Sequence, residues 1–233
     1  MTHEQPDSGG PLALQALIFD MDGLLFDTER VACDCWAEAS GSLGFDLAEE
    51  IVRGAIGLDD ELTRGYYQHL FAGHFPFDRV EARHRDLFRA HIQANGVPVK
   101  PGVGRILEQA RQSGLRLALG TSSRALYTHA MLWLAGIAPC FQVLVTRDLV
   151  EAGKPAPDIY LKAAELLGVD PADCLVFEDS RNGIRAAKAA GMPVVMIPDL
   201  VAPTPELRSL CLGVYPSLVE AADRLVDQPS SLR

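Results

Sequence analysis

The 233-residue sequence predicts an α/β fold: a doubly wound parallel sheet carrying an inserted helical segment. Three observations lead there. After residue 100, short apolar runs alternate regularly with helical patterns. Those patterns stop at Gly114, Gly136, Gly168 and Gly191, where a helix needs a left-handed residue to finish. Between residues 29 and 95 the alternation gives way to helical patterns with no convincing strand. Strand, helix, strand with short connections implies a parallel sheet covered on both faces.

Taken in order, residues 1–11 are polar, with no basic start leading into an apolar stretch, and read as a floppy tail rather than a signal peptide. The run at 14–19 is the first strand. Helical patterns follow at 29–40, 60–72 and 78–95, and Gly96-Val97-Pro98 with Lys100-Pro101-Gly102 forms a connector. Apolar runs at 115–120, 141–146, 174–177 and 194–197 supply further strands. The expected units are a tail at 1–12, a core at 13–28 and 97–233, and a helical insert at 29–96. The insert's two crossing points, near Thr28 and Pro98, should lie together at the end of the first strand, where an insert acts as a lid.

Composition narrows the function classes. Apolar residues make up 48% of the chain, which argues against disorder, and the net charge of −10 argues against a nucleic-acid partner, which would want a basic stripe. No apolar run approaches the ~20 residues of a membrane span. The expectation is a soluble cytoplasmic protein, monomer or homodimer, acting on a small molecule. Cys33, Cys35, Cys140, Cys174 and Cys211 are odd in number without CxxC spacing, so reduced, mostly buried thiols are expected. The histidines form no i,i+4 pair, which leaves zinc little support.

The chemistry gathers at the strand ends, where ligands of open α/β sheets bind. Asp20-Met-Asp22-Gly23 follows the first run, and alternation along a strand puts both carboxylates on one face. Thr121-Ser122-Ser123 follows the second run and Glu178-Asp179-Ser180 the fourth. Lys154, in Gly153-Lys154-Pro155, lies in the loop after the third. Four carboxylates at one site repel unless a cation neutralises them, and Lys154 alone is insufficient. A hard divalent ion bound by oxygen is implied, and with few ligands and room for phosphate, Mg²⁺ fits better than Ca²⁺. Carboxylate, hydroxyl, lysine and Mg²⁺ match phosphoryl transfer.

In this order and spacing, DxDGxLxDT, the hydroxyl after the second strand, GKPxPDxY and EDSxxGxxAAxxAG resemble the motifs of the haloacid dehalogenase-like hydrolase superfamily over residues 14–197. The insert resembles the small helical cap of its phosphoglycolate phosphatase and β-phosphoglucomutase relatives, on a Rossmann-like core. The resemblance implies Asp20 as nucleophile, forming an aspartyl-phosphate, and Asp22 as the acid and base that protonates the leaving alcohol and activates water. It implies Mg²⁺ on the Asp20 side chain, the Asp22 main-chain carbonyl and Asp179, with Glu178 as a ligand or as support. Thr121 and Lys154 would bind phosphoryl oxygens, with Gly23 also in the phosphate site and Ser122 and Ser123 adding hydrogen bonds.

Plainer roles stand beside these. Glu178-Asp179-Ser180 also suits a helix N-cap, and Lys154 taken alone is a solvated loop lysine. Asp27-Thr28 reads as a tether at the lid hinge. Trp36, Tyr66, Tyr67, Phe71 and Phe88 read as core of the insert, and Arg83, Arg85 and Arg89 as a solvated face. Among reactions, halide leaves unprotonated and needs no Asp22, so phosphate chemistry is favoured over dehalogenation. Mutase-like relatives carry a histidine where this chain has Ala32, and an arginine after a cap glycine where it reads Gly57-Leu58-Asp59-Asp60. The leading expectation is a Mg²⁺-dependent phosphatase for a small phosphorylated metabolite. A sugar phosphomutase is the enzyme alternative, and a phosphate-sensing, receiver-like domain the non-enzyme one.

Overall fold

The computed structural model describes residues 14–225 except 57 and 59. The tail expected at 1–12, and Gly57 and Asp59 of the cap stretch, lie outside the described residues. The chain opens with β1 (Ala16–Phe19), then runs through α1 (Thr28–Gly41), α2 (Glu49–Arg53), α3 (Asp60–Leu70) and α4 (Phe77–Asn95) before any second strand. From there it alternates: α5 (Val103–Gln112), β2 (Arg116–Gly120), α6 (Ala125–Leu134), β3 (Val143–Val145), α7 (Asp158–Leu167), β4 (Cys174–Glu178), α8 (Arg181–Ala189), β5 (Val194–Met196), α9 (Pro205–Leu210), β6 (Gly213–Val214) and α10 (Leu218–Leu225). The strands form one sheet in the order β3-β2-β1-β4-β5-β6. Every pairing is parallel.

The period of two along each strand builds a separate core on each face. Leu17, Phe19, Leu117, Leu119, Leu175 and Phe177 point one way, against Ile106 and Leu107 of α5, Leu132 of α6 and Ala221 of α10. Ile18, Ala118, Val176 and Val194 point the other way, against Ile159 of α7, Ile184 of α8 and Leu207 of α9. At the centre Phe19 stacks on Phe177, ring centroids 4.9 Å apart. The helices α5 to α8 finish at the glycines marked in the sequence, with φ between 66 and 74°.

The insert packs around its own cluster of Ala39, Tyr67, Phe75, Phe77 and Val80, with Trp36, Tyr66 and Phe71 against it. Phe88 departs from the expected insert core. It packs with the sheet-side cluster and faces Tyr127 of α6 at 6.2 Å. Arg83, Arg85 and Arg89 form the expected exposed face.

The two crossings between insert and sheet are hydrogen-bonded to each other. The Asp27 amide donates to the Pro98 carbonyl at 2.8 Å, and the Lys100 amide to the Leu25 carbonyl at 2.9 Å. Between β1 and this hinge the chain makes a tight loop over Asp22–Phe26, with Gly23 at φ 83° and Leu24, Leu25 and Phe26 fully buried beneath it. The buried side chains fix the loop that carries Asp22.

Four elements were not anticipated. With five residues in α2 and two in β6, neither period can register. Helix α10 places Leu218, Ala221 and Ala222 inward, a pattern whose small residues give little apolar contrast. Helix α9 begins at Pro205 behind a Thr204 cap, a local signal that the alternation of longer runs obscures. All five cysteines are free, Cys35 and Cys174 buried. No helix among the described residues is long and apolar enough to cross a membrane.

Candidate active site

Parallel strands deliver their carboxyl ends to one edge, and the sequence-marked residues meet there. Asp20 follows β1, its amide donating to the Phe177 carbonyl of β4 at 3.1 Å. Asp20 is 8% exposed, and its carboxylate accepts a hydrogen bond from Lys154. The Lys154 ammonium also donates to Glu178 at 2.7 Å and to the Gly120 carbonyl at 2.9 Å, and lies 4.7 Å from the centre of the Tyr160 ring. This is no solvated loop lysine: three strand ends hold it.

Glu178 is the last residue of β4 and is completely buried. Its Oε1 accepts from Lys154 and, at 2.8 Å, from the Tyr160 hydroxyl; its Oε2 accepts from the Asp179 amide, the Ser180 amide and the Ser180 hydroxyl. Both oxygens are engaged from within the fold, an arrangement that supports the site from behind. Gly183 makes room for it, since a Cβ there would sit 1.6 Å from Oε1. Ser180 is also the N-cap of α8, accepting from the Gly183 amide at 3.0 Å.

Asp22 hangs from three hydroxyls. Thr28 donates to Oδ1 at 2.6 Å, Tyr127 to Oδ1 at 3.0 Å and Ser123 to Oδ2 at 2.7 Å. The hinge threonine, read from sequence as a tether, thus grips a chemical group as well. Ser123 is turned toward Asp22, whereas Thr121, 2% exposed, accepts from the Ser123 amide at 3.0 Å and keeps its own proton to donate. Ser122 is exposed. The Gly23 amide donates to the Phe26 carbonyl at 2.9 Å. Its contribution is space, because a Cβ at Gly23 would lie 2.2 Å from Asp179 Oδ2.

Asp179 is 1% exposed, and neither carboxylate oxygen has a hydrogen-bond partner among the described residues. Leaving a buried carboxylate bare costs several kcal/mol unless a cation sits against it. Beside it the sequence reading missed two acids. Carboxylate oxygens of Glu29, in the first turn of α1, and of Asp199, in the loop after β5, lie with one of Asp179 within 4.8 Å of one another. Asp199 also accepts from Arg30 at 2.7 Å and pairs with Lys100 at 2.6 Å, which joins it to both hinge strands. The strand-end rule, carried to the fifth run, points to Asp199; Glu29 stands directly after the Asp27-Thr28 pair. Tyr127 sits inside a helix with no local signal, whereas Tyr160 closes the GKPxPDxY motif, to which the sequence reading gave no role of its own.

The electrostatics follow from burial and crowding. Burial pushes the Asp20 carboxyl up to about 8, against the pull of Lys154 and with the push of Glu178. Burial, then the charges of Glu178 and Asp20, hold Asp179 well above the usual range. Burial, then Asp199, pushes Glu29 up to about 7. Glu178 goes the other way: burial would raise it, but Lys154 and its other donors hold it low. Burial likewise opposes the Lys154 charge, and Asp20 and Glu178 more than offset it. Oxygen-only donors, surplus negative charge and a bare buried Asp179 make a set suited to a hard divalent cation.

The comparisons agree with this geometry. A family model described as haloacid dehalogenase-like hydrolase matches residues 14–191. The protein CbbY of Rhodobacter capsulatus is 37% identical over 199 residues, 80% of this chain and 86% of the relative. A phosphorylated carbohydrates phosphatase of Thermotoga maritima is 32% identical over 183 residues, 77% of this chain and 82% of the relative. A crystal structure of CbbY from Rhodobacter sphaeroides in complex with xylulose-(1,5)-bisphosphate superposes with a TM-score of 0.72 at 25% identity, covering 89% of this chain and 96% of that one. With the parallel sheet, the family model and these relatives in agreement, the chain belongs to the haloacid dehalogenase-like hydrolase family.

Proposed function

We propose that the protein is a Mg²⁺-dependent phosphomonoester hydrolase acting on a small phosphorylated carbohydrate through an aspartyl-phosphate on Asp20. The observation that carries this reading is the buried Asp20–Lys154 contact beside Asp179, whose two oxygens lack partners. In the first half-reaction an Asp20 oxygen attacks phosphorus in line with the ester oxygen. The P–O ester bond breaks as the Asp20–phosphorus bond forms, and Asp22 passes its proton to the departing alkoxide. In the second, Asp22 takes a proton from water as that water attacks phosphorus, releasing inorganic phosphate and restoring Asp20.

Lys154 and the Thr121 hydroxyl are assigned to the phosphoryl oxygens, where charge builds up in the transition state. The Asp20 side chain, the Asp22 carbonyl and Asp179 would hold Mg²⁺, and Glu178 keeps Lys154 oriented. When bound, the ion neutralises phosphoryl charge and favours the ionised form of Asp20. Asp22 distinguishes this reading from dehalogenation, and Ala32 argues against a mutase. The nucleophile at the end of the first strand, together with the hydrolase family match, replaces the receiver-like alternative.

The substrate class draws on the relatives. The Thermotoga phosphatase is named for phosphorylated carbohydrates, and the Rhodobacter sphaeroides protein was crystallised with a sugar bisphosphate. The test is Asp20→Asn, which should abolish phosphate release from p-nitrophenyl phosphate while leaving the fold intact. Retained turnover would sink the mechanism, and a screen of sugar phosphates reads the substrate.

A further inference from the structure

We infer that Glu29 and Asp199 are further ligands of the cation carried by Asp179, so that the ion is held jointly by the sheet and by the helical insert. This rests on the proposed reading only in placing a divalent ion at Asp179. The oxygens are already gathered: one from each residue lies within 4.8 Å of the other two. Around an octahedral Mg²⁺ ion opposite ligands stand roughly 4.2 Å apart and neighbouring ones roughly 3 Å, so the three oxygens would close onto an ion by drawing together by up to about 2 Å.

The second line of evidence is unsatisfied oxygen. The Asp199 side chain is 1% exposed, and although Arg30 and Lys100 engage its Oδ1, its Oδ2 has no partner. Both Asp179 oxygens and Glu29 Oε2 are in the same condition. The nearby cations are committed elsewhere: Lys154 faces Asp20 and Glu178, while Arg30 and Lys100 lie on the other oxygen of Asp199. Buried polar atoms almost always find partners, and four bare carboxylate oxygens on three residues that gather in space point to a positive charge that belongs among them.

The ligands come from different parts of the chain, which gives the site a mechanical consequence. Asp179 and Asp199 follow β4 and β5, whereas Glu29 stands in the first turn of α1, just past the hinge. An ion bound to all three ties the insert to the sheet at its pivot. The cation then affects the insert as well as the phosphoryl group.

Mn²⁺ binding to the full-length protein tests this, read by electron paramagnetic resonance and by calorimetry without substrate. Wild-type protein should bind Mn²⁺, and Asp179→Asn should abolish binding. Glu29→Gln should weaken it about 10–100-fold, the range usual for residues supporting a metal site. Glu29→Asp decides between contact and mere charge, since it keeps the charge and withdraws the oxygen by one methylene. It should also weaken binding several-fold, while the exposed Glu165→Gln should not. Asp199→Asn is a second arm, with thermal melting to confirm folding; if it unfolds, the Glu29 pair still decides.

Wild-type affinity in Glu29→Asp or in Glu29→Gln would overturn the inference. Wild-type phosphatase turnover with unchanged Mn²⁺ affinity in both Glu29 variants would remove these ligands and leave the proposed function standing. Mn²⁺ binding that responds to Glu29, in a protein that releases phosphate from no ester, would do the reverse.

Discussion

Asp22 shows how a single carboxylate is made useful by its donors. The hydroxyls that hold it come from the hinge, from the loop after β2 and from α6, so its direction is set by three elements at once. Tyr127 is the outer member, packed on Phe88 of the insert, and burial next to Asp22 raises its phenol so far that it remains a donor. Tyr127→Phe removes that hydrogen bond and keeps the ring. A hydrogen bond to a charged group contributes about 1.5 kcal/mol or more, so kcat on an alkyl phosphate should fall about tenfold. An aryl phosphate leaves without help from an acid, and its kcat should stay within about twofold. Equal losses on both would mean that Tyr127 acts only through the fold. Residues of this kind were hidden in the sequence, because a tyrosine inside an apolar helix reads as core until the helix is docked. Asp20, Asp22, Thr121, Lys154 and Asp179 were legible because each follows a strand or sits in a Gly- and Pro-marked loop.

Among the elements, α8 carries the tightest constraint. Its first turn crosses directly over the Glu178 carboxylate, and Gly183 is the residue that lets it pass. Gly183→Ala would place a methyl 1.6 Å from Glu178 Oε1, so either the helix or the carboxylate with its bond to Lys154 must move. Overpacking of this kind costs about 1–3 kcal/mol, a Tm drop of roughly 2–12 °C in a chain of this size. Activity should fall with it. Gly104 in α5 is the internal control: a Cβ there meets nothing within 4 Å, so Gly104→Ala should hold or raise Tm by thermal melting. A neutral Gly183→Ala would show that Glu178 is not fixed by α8. The alternation of runs and glycine stops made the long elements readable, because each period repeats several times within one. What local sequence does not carry is sheet order. Only the pairing of β4 with β5 brings Asp199 beside Asp179, and only the docking of α1 adds Glu29.

Across the whole molecule, a parallel sheet collects acidic strand ends at one edge, and the fold must live with their repulsion. In the metal-free protein Asp20 is raised to about 8 and Glu29 to about 7, with Asp179 raised well above its ordinary value. Each of these carboxyls therefore binds its proton more tightly in the folded state than in the unfolded chain. Stability rises with pH where the unfolded state holds more protons, and here the folded state holds more, so the sign reverses. Their stabilising share is complete at low pH, below the unfolded values near 4, and is lost as pH climbs toward the raised folded values, about 7 for Glu29 and about 8 for Asp20. Glu178, held low, has the opposite sign, but its window lies below pH 5 and leaves the neutral range to the other three. With chelator present, Tm should thus fall between about pH 5 and pH 8. A divalent ion binds the ionised carboxylates of the folded state only, so Mg²⁺ should raise Tm more at about pH 8 than at about pH 5. Differential scanning calorimetry at both pH values, with and without Mg²⁺, measures all four points. Equal increments at the two pH values, or a chelated Tm that rises with pH across this window, would show that the gathered carboxylates do not set the stability of the sheet edge.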